Sequence, residues 1–442
     1  MPLLSIIVTV YNLERYIGEC LDSVLNQDFD DYEIVLVDNA STDGSLKICE
    51  AYAKKYKKIN FIKLEGESIV GRAHRVGIAE AKGTYIHLLD GDDYVANECY
   101  SGIVKIILDK EPDVLIGSFK AIPEKGASNV NDAIVLAEEI NNNSYETGIR
   151  YIMKLPNFHM VHWRYIFKKS IYLMPDDTKD KLYTTSIPSN YYGDVLTTTR
   201  VLIKANSIYY YDKPFYCYRI RTAGAITSEV TSTHYKAFFS TIFTLLHLIE
   251  KLNCNNARRD FIFSRIINLF KLFSSGVDII KHRELSELAK IIDNNLTLFK
   301  LLNEVEDKNI KAFNSFVSRY GSYDGLYLYC AYKRSELLSK LRGKENKDIY
   351  VFPSGYCGIS TARILKDAEM NICGILDNDE YKNNKIISGF ECNIPVQLNT
   401  FERDKLKNTF VVIATIYDGL IPVLKKQLLD MQLCEEQIIL KE

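Results

Sequence analysis

Hydrophobic residues in the N-terminal part of the chain fall into short unbroken runs, separated by runs with helical spacing. The segments 3–10, 33–37, 60–64 and 84–89 are predicted strands, and the first (LLSIIVTV) is typical of a buried parallel strand. Between strands, apolar positions recur every three or four residues, as in helices with one buried face. This alternation predicts an α/β fold with a parallel sheet and right-handed crossovers.

Two further patterns follow along the chain. Apolar stripes with helical spacing run from 233 to 304 and predict a helical bundle or connector. After a polar linker at 340–347, strands and helices alternate again, which predicts a small Rossmann-like domain. We therefore divide the chain into an N-terminal α/β domain (1–232), a helical bundle or connector (233–340) and a Rossmann-like C-terminal domain (345–442).

Composition narrows the class of protein. Hydrophobic residues make up 47% of the 442 positions, and 55 basic against 57 acidic side chains leave a net charge of −2, so no overall basic field favours nucleic acid. The N-terminus has no basic signal-peptide region, and no stretch reaches the ~20 apolar residues of a membrane span. The 10 cysteines form no C-x-x-C pair, which indicates free thiols in a reducing cytosol. We expect a cytoplasmic protein, and leave open both peripheral attachment to the inner face of the cytoplasmic membrane and homo-oligomerisation.

Polar side chains collect where the predicted strands end, which is where ligands of parallel sheets bind. These residues are Asn12, Asp38, Asn39, Ser41, Asp90, Asp92 and Asp93. The last three carboxylates repel one another, so the binding of a cation would stabilise them. Oxygen ligands suit Mg²⁺ or Mn²⁺, which also bridge phosphates. Gly91 has no side chain, and we expect it to let a diphosphate approach the backbone.

Three blocks of sequence resemble one enzyme family. They are SIIVTVYN at 5–12, EIVLVDNASTDGS at 33–45 and LDGDD at 89–93, in the family's order and spacing. The chain resembles the inverting family 2 glycosyltransferases over roughly its N-terminal half. The resemblance implies the GT-A nucleotide-diphospho-sugar transferase fold for 1–232, followed by the helical segment and the small Rossmann-like α/β domain.

The resemblance also implies roles for residues on the donor side. The nucleotide, typically with a uracil base, would be held at the first two strand ends by Val10, Tyr11, Asn12, Glu14, Asp38, Asn39 and Ser41. Asp90 and Gly91 would lie near the ribose and the diphosphate. Asp92, with Asp90, would ligate Mg²⁺ or Mn²⁺.

Basic residues of two further blocks would reach the phosphates. The family's Ala-Arg-Asn-x-Gly block is Ala-His-Arg-Val-Gly here, with His74 at the arginine position and Arg75 at the asparagine position. Either Arg72 or Arg75 would contact a phosphate. The segments 208–211 and 215–220 are two further predicted strands, and Arg219 belongs to a block in the second that resembles one that closes over the donor phosphates. Either Arg219 or Arg221 would hold a phosphate.

The acceptor side is implied by two segments. Inverting transfer needs a carboxylate to take the acceptor hydroxyl's proton, and Asp194 stands where the family has its base, with Gly193 replacing the usual Glu. Trp163 aligns with a tryptophan near the acceptor and would stack on a sugar. His159 and His162 have i, i+3 spacing but no third metal ligand in view, so we expect ordinary partly buried histidines.

These expectations define a leading function and two alternatives. The leading one is transfer of a sugar from a UDP-sugar to a glycan or lipid-linked glycan, with inversion, in the biosynthesis of a bacterial capsule, lipopolysaccharide or teichoic-type polymer. The first alternative is a non-catalytic nucleotide-sugar-binding scaffold, favoured by Gly193 and His74. The second is a bifunctional chain that binds NAD through the C-terminal domain, where Asp377 stands at the position of a ribose-binding acid. Pro353 there replaces the first glycine of the nucleotide-binding turn.

Overall fold

We describe the protein from a computed structural model. The structure describes residues 1–66, 70–124, 149, 152–153, 161–172, 192–221, 232–252, 254–275, 282–415 and 419–441. The chain forms two compact units, Met1–Ala225 with Asn253–Ile262, and Ile226–Leu252 with Phe263–Glu442. The finer division into three domains remains a prediction.

The first unit is built on an eight-stranded mixed sheet. Its strands are β1 (Leu4–Val10), β2 (Tyr32–Asn39), β3 (Ile59–Leu64), β4 (Tyr85–Asp90), β5 (Tyr94–Val95), β6 (Val114–Pro123), β7 (Tyr165–Lys168) and β8 (Ile208–Ile220). Their order across the sheet is β3-β2-β1-β4-β7-β6-β8-β5. The first four strands are parallel, with the register Val10 to Asp38 and Thr9 to Asp90, so the ends of β1, β2 and β4 lie side by side.

Helices connect these strands. Those of the first unit are α1 (Ile17–Leu25), α2 (Ser45–Lys55), α3 (Val70–Glu80), α4 (Cys99–Lys110), α5 (Lys169–Tyr172) and α6 (Gly193–Lys204). The apolar stripe of α1 is buried through Ile17, Cys20, Leu21 and Val24, as its spacing predicts. β1 and β2 are almost wholly buried because helices cover such sheets on both faces.

Two features of the sheet differ from the sequence-based expectation. The segments 208–211 and 215–220 form one strand, β8, which accommodates the intervening residues by a shift of its register against β6. The two-residue strand β5 directly follows the acidic turn and pairs antiparallel with β8 through Tyr94 and Cys217. This pairing brings the end of β8 next to the Asp90–Asp93 turn.

The second unit combines helices with a six-stranded sheet. The remaining helices are α7 (Ser232–Lys251), α8 (Asn256–Ser275), α9 (His282–Asp293), α10 (Leu296–Phe299), α11 (Lys308–Tyr320), α12 (Ser322–Lys340), α13 (Tyr356–Asp367), α14 (Arg403–Asn408) and α15 (Ile421–Asp430). The first residues of α8, up to Ile262, belong to the first unit. Aromatic rings fill the core of the helical segment, where Phe273 stacks on Phe238 at 4.7 Å and Phe270 packs against Phe313 at 5.2 Å. No helix in the described ranges is both long and apolar enough to cross a bilayer.

The C-terminal sheet has the predicted alternation. Its strands are β9 (Asp348–Phe352), β10 (Ile372–Leu376), β11 (Lys385–Ile387), β12 (Phe390–Asn393), β13 (Thr409–Ile413) and β14 (Ile438–Leu440), in the order β11-β12-β10-β9-β13-β14. All neighbours are parallel except the β11–β12 hairpin, which the sequence pattern missed. The remaining five-stranded parallel arrangement is Rossmann-like.

Candidate active site

The loops after β1 and β2 lock together at the carboxyl edge of the first sheet. Asn12 adopts a left-handed backbone conformation (φ 54°), which asparagine tolerates better than most residues. Its N–H donates to Ser41 Oγ at 3.1 Å, and its side-chain oxygen accepts the N–H of Thr42 at 2.8 Å. Glu14 in turn accepts the N–H of Gly44 at 2.7 Å. These bonds hold two of the predicted nucleotide-binding segments in one rigid cradle.

Asp38 lies at the floor of this cradle. Its side chain is fully buried, and Oδ2 accepts the N–H of Ser41 at 3.2 Å. Oδ1 has no hydrogen-bond partner among the described residues. A buried carboxylate oxygen without a partner is costly, so this atom marks a position where a ligand N–H would be stabilising. Val10 is buried, and Tyr11 is 46% exposed at the rim.

Gly91 is required by the packing of the acidic turn. A Cβ at this position would lie 2.7 Å from the carbonyl oxygen of Thr9 and 3.1 Å from Leu13 Cδ1, so a side chain would point into the protein. The approach of a diphosphate to this backbone remains a prediction. Gly91 lets the acidic turn pack against β1, where its own N–H donates to the Thr9 carbonyl at 3.0 Å.

Asp92 and Asp93 are fixed by the end of β8. Asp93 is buried and accepts the Tyr216 hydroxyl at 2.7 Å and the N–H of Arg219 at 2.6 Å. Burial, together with the neighbouring Asp92, raises its pKa well above the ordinary value. The Asp92 carboxylate is ion-paired with Arg221 Nη2 at 3.1 Å. Burial and Asp90 raise the pKa of Asp92 as well.

Arg219 lies beside this turn, as a phosphate contact would require. Its Nε donates to the carbonyl oxygen of Asp92 at 2.8 Å, and its Nη2 bonds Glu19 at 2.7 Å. The guanidinium carbon is 5.2 Å from the ring centroid of Tyr16. These contacts aim the planar cation at the acidic turn and leave its role in phosphate binding as a prediction.

Asp90 is linked to Asp194 through one histidine. His162 Nε2 lies 3.2 Å from Asp90 Oδ1, and its Nδ1 contacts Asp194 Oδ1. Burial lowers the pKa of His162, but the two carboxylates outweigh burial and hold it well above the ordinary value. The same contact with His162 holds the pKa of Asp90 low in spite of its burial. Asp194 lies in the first turn of α6, and its side chain is 41% exposed, so solvent reaches the predicted base.

His74 is the second histidine of this group. Its ring packs edge-on against that of His162 at 4.4 Å, and its Nε2 lies 3.9 Å from Asp90 Oδ1 and 3.5 Å from Thr9 Oγ1. Burial and the nearby His162 lower its pKa to about 4, so this imidazole is neutral at physiological pH. The sequence does not predict that His74 and His162 lie together. The one sequence feature that singles out His74 is its place at the family's arginine position. His159 lies outside the described residues.

Trp163 is a core residue in this structure. It is only 4% exposed, and its ring stacks on Tyr216 with centroids 4.2 Å apart and planes 9° apart. Tyr218, stacked on the same ring at 5.6 Å, is 41% exposed. The aromatic face that solvent reaches here belongs to Tyr218, so the expectation that Trp163 itself is the acceptor platform has no exposed surface to support it.

The predicted arginines of α3 bond to nearby backbone. Arg72 Nη1 donates to the carbonyl oxygen of Glu65 at 2.7 Å, and Arg75 Nε donates to that of Gly71 at 3.3 Å. Both side chains are partly exposed. Which of them contacts a phosphate remains a prediction.

The predicted ribose-binding acid of the C-terminal domain already has partners. Asp377 Oδ2 accepts the N–H of Ser354 at 3.0 Å and Lys382 Nζ at 3.0 Å, and the Ser354 hydroxyl also donates to it. Burial disfavours the charged form, but Lys382 and Ser354 outweigh it and lower the pKa of Asp377. Because these contacts occupy Oδ2, they disfavour the NAD-binding alternative.

Comparison with known proteins identifies relatives of the N-terminal part of the chain. A family model described as glycosyl transferase family 2 matches residues 5–172. Glycosyltransferase GlyG of Streptococcus pneumoniae is 27% identical over 237 residues, covering 51% of this chain and 74% of GlyG. The poly(ribitol-phosphate) beta-glucosyltransferase of Bacillus spizizenii is 39% identical over 126 residues, covering 28% of this chain and only 20% of that protein.

A solved structure shows the same fold. The crystal structure of residues 1–349 of S. aureus TarS in complex with UDP-GlcNAc matches with a TM-score of 0.57 at 21% identity, covering 76% of this chain and 92% of that one. The expected fold class is thereby confirmed. The chain carries a glycosyl transferase family 2 domain with the GT-A fold, followed by a helical segment and a small Rossmann-like domain.

Proposed function

We propose that this chain transfers a sugar from a UDP-sugar to a hydroxyl group of a glycan or lipid-linked glycan, with inversion at the anomeric carbon. The observation that carries the proposal is the connection between Asp90 and Asp194 through His162. It joins the acidic turn of the predicted donor site to a solvent-accessible carboxylate at the start of α6. A transferase needs a leaving-group site and a base next to each other.

The nucleotide would bind in the cradle between the β1 and β2 loops. The buried Oδ1 of Asp38 needs a hydrogen-bond donor, and the imide N–H of uracil is one. The adjoining Tyr11 ring is exposed and would cover the base. UDP-GlcNAc is the ligand in the TarS complex that shares the fold. These points support a UDP-sugar as the donor.

The departing diphosphate would lie against the Asp90–Asp93 turn and the end of β8. The carboxylates of Asp90 and Asp92 are suitable ligands for Mg²⁺ or Mn²⁺. A bound ion would neutralise charge on the leaving group. Arg219 lies beside the same turn, and its planar guanidinium would bond two phosphate oxygens at once.

Asp194 would act as the general base. It would take the proton of the acceptor hydroxyl while that oxygen attacks the anomeric carbon from the side opposite the diphosphate, so the carbon–diphosphate bond breaks with inversion. His162 holds one oxygen of the carboxylate and thereby orients the other. The exposed ring of Tyr218 is available to an acceptor sugar.

The relatives support the proposed acceptor polymer, and the cysteines support the proposed compartment. The poly(ribitol-phosphate) transferase and GlyG are bacterial proteins, which supports an acceptor in a surface polysaccharide of the capsule, lipopolysaccharide or teichoic type. The 10 cysteines all lie in the described ranges, and none of them forms a disulfide bond. Free thiols persist in a reducing compartment, which supports catalysis in the cytoplasm, at the inner face of the membrane where lipid-linked acceptors lie.

A test of the proposal is UDP release from a panel of UDP-sugars, with Mn²⁺ or Mg²⁺ and glycan acceptors. We expect Asp194→Asn to lower kcat by about 10²–10⁴-fold, as for loss of a general base. Asp109→Asn is a matched control because Asp109 is exposed on α4 and forms an ion pair with its neighbour Lys110. Transfer by Asp194→Asn at the wild-type rate would refute the assignment of the base.

A non-catalytic nucleotide-sugar-binding scaffold is the alternative. Two observations favour it: Gly193 in place of the usual Glu, and the ion pair that Asp92 makes with Arg221. The scaffold alternative predicts that calorimetry detects binding of UDP-sugars and that no UDP is released with any acceptor. Release that depends on Asp194 excludes it.

A further inference from the structure

His74, Asp90 and His162 bring three metal-ligating groups together beside the acidic turn. Their ligand atoms all lie within 4.8 Å of one another. His162 Nε2 is 3.2 Å and His74 Nε2 is 3.9 Å from Asp90 Oδ1. Ligand atoms around a tetrahedral ion are about 3.4 Å apart when each bond is about 2.1 Å. The observed spacings bracket that value, so small rotations would complete the site.

The surroundings of His162 match those of a metal-bound histidine. Such a histidine usually donates its second ring N–H to a carboxylate, which fixes the ring and makes the ligating nitrogen more basic. His162 Nδ1 contacts Asp194, and Nε2 faces Asp90 and His74. His87, a buried neighbour, shows the contrast: its nitrogens are 2.8 Å from the Tyr100 hydroxyl and 3.0 Å from the Trp163 carbonyl oxygen, so both are used in the core.

We propose that His74, Asp90 and His162 bind a divalent transition-metal ion through two imidazole nitrogens and one carboxylate oxygen. Imidazole ligands favour ions such as Mn²⁺, Co²⁺ and Zn²⁺ over Mg²⁺, which prefers oxygen. The site therefore selects Mn²⁺ over Mg²⁺. This ligand set differs from the Asp90 and Asp92 pair of the proposed function: two imidazoles take the place of Asp92, whose carboxylate is paired with Arg221.

The inference deepens the proposed function in one respect. The ion's role beside a departing diphosphate rests on that function, because Asp90 belongs to the predicted donor site. Binding of the ion does not rest on it, since the three ligands come from β4, α3 and the short helix His162–Arg164 of the same unit. Metal binding and sugar transfer can therefore be measured separately.

The experiment uses the full chain after treatment with EDTA. Co²⁺ is titrated while its visible absorption is recorded, and Mn²⁺ and Mg²⁺ are titrated in a calorimeter. We expect Co²⁺ to give the intense absorption of a low-coordinate site, and Mn²⁺ to bind at least tenfold more tightly than Mg²⁺. Pulsed electron paramagnetic resonance of bound Mn²⁺ should show nitrogen hyperfine coupling. This last readout needs no variant, so a variant that misfolds does not weaken the test.

Variants separate this site from one made of oxygens alone. His162→Gln and His74→Gln should each weaken Co²⁺ binding by tenfold or more, whereas His247→Gln, in α7, should not. Asp92→Asn should leave Co²⁺ binding within about twofold. Binding that depends on Asp92 and not on the histidines would overturn the proposal, as would equal affinity for Mg²⁺ and Mn²⁺ or a lack of nitrogen coupling.

UDP release, measured on the same samples, keeps the two proposals apart. A protein that releases UDP from UDP-sugars but binds no Co²⁺ would refute the metal site and leave the proposed function standing. A protein that binds Co²⁺ through its histidines and releases no UDP would support the metal site and refute the proposed function.

Discussion

Replacing Tyr216 by phenylalanine tests how the acidic turn is held in place. The Tyr216 ring stacks on Trp163, and the hydroxyl bridges the turn by donating to Asp93 Oδ2 at 2.7 Å and accepting the N–H of Asp90 at 3.3 Å. Phenylalanine keeps the ring and removes both bonds. Because Tyr216 and Asp93 are buried, water does not replace the lost partner. The substitution therefore isolates the contribution of one buried hydroxyl.

The expected cost follows from these contacts. An intramolecular hydrogen bond contributes about 0.5–1.5 kcal/mol net, and a buried acceptor left without a donor costs about 1–3 kcal/mol. We expect Tyr216→Phe to lower the free energy of unfolding of the first unit by about 2–3 kcal/mol. Tyr218→Phe is the matched control, since Tyr218 stacks on the same tryptophan but is 41% exposed. It should change the free energy by less than about 0.5 kcal/mol.

Urea unfolding followed by tryptophan fluorescence is a suitable assay. Trp163 is the only tryptophan in the chain and packs directly on Tyr216, so its emission reports this unit alone. The slope of free energy against urea should stay the same in both variants if only stability changes. Equal effects of the two substitutions, or a larger effect at Tyr218, would refute the bridging role of the Tyr216 hydroxyl.

Three further changes have expected outcomes. Gly91→Ala should lower the free energy of unfolding of the first unit by about 1–3 kcal/mol, measured in urea, because the new Cβ would collide with the Thr9 carbonyl oxygen. Gly71→Ala is the control and should be neutral or stabilising, because the space at its Cβ is open. A larger loss of stability at Gly71 than at Gly91 would contradict the packing argument. Asp377→Asn should cost about 1–3 kcal/mol at pH 7. Because the folded-state pKa is lowered, that difference should shrink as the pH falls from about 4 through the folded-state value, and a difference independent of pH would refute the ion pair. Asp307→Ala removes the N-cap that accepts two N–H groups of α11 and should cost about 1 kcal/mol by calorimetry; no change would show that solvent replaces the cap.

The four parallel strands of the first sheet could be predicted because each strand is indicated by one short, continuous stretch of sequence. β1, β2 and β4 are buried apolar runs that end at or just before polar residues, and the strand–helix period fixes the direction of all four strands. β5 could not be predicted because two residues carry no periodic signal. The joining of 208–211 and 215–220 into β8 depends on pairing with β6, which is remote in sequence.

The candidate site also contains some residues that could be predicted from the sequence and others that could not. The Asp90 and Asp92 carboxylates and the cradle of Asn12 and Ser41 could be predicted because they follow strands whose ends must meet. The contact between Asp90 and His162 spans 72 residues and is formed by a segment without a regular pattern. Gly91 shows a different limit: the sequence indicates that a side chain is excluded there but not which neighbour excludes it.

The bridge formed by His162 has a consequence for the order of events in a catalytic cycle. His162 contacts Asp90, which we propose belongs to the donor site, and Asp194, which we propose is the base for the acceptor, so under this proposal the two substrates would not bind independently. When an incoming ligand draws Asp90 away from Nε2, the hold of the ring on Asp194 changes as well. By thermodynamic reciprocity, donor and acceptor then alter each other's affinity by the same factor. Such coupling would favour an active Asp194 only after the donor has bound. It would thereby limit hydrolysis of the UDP-sugar by water.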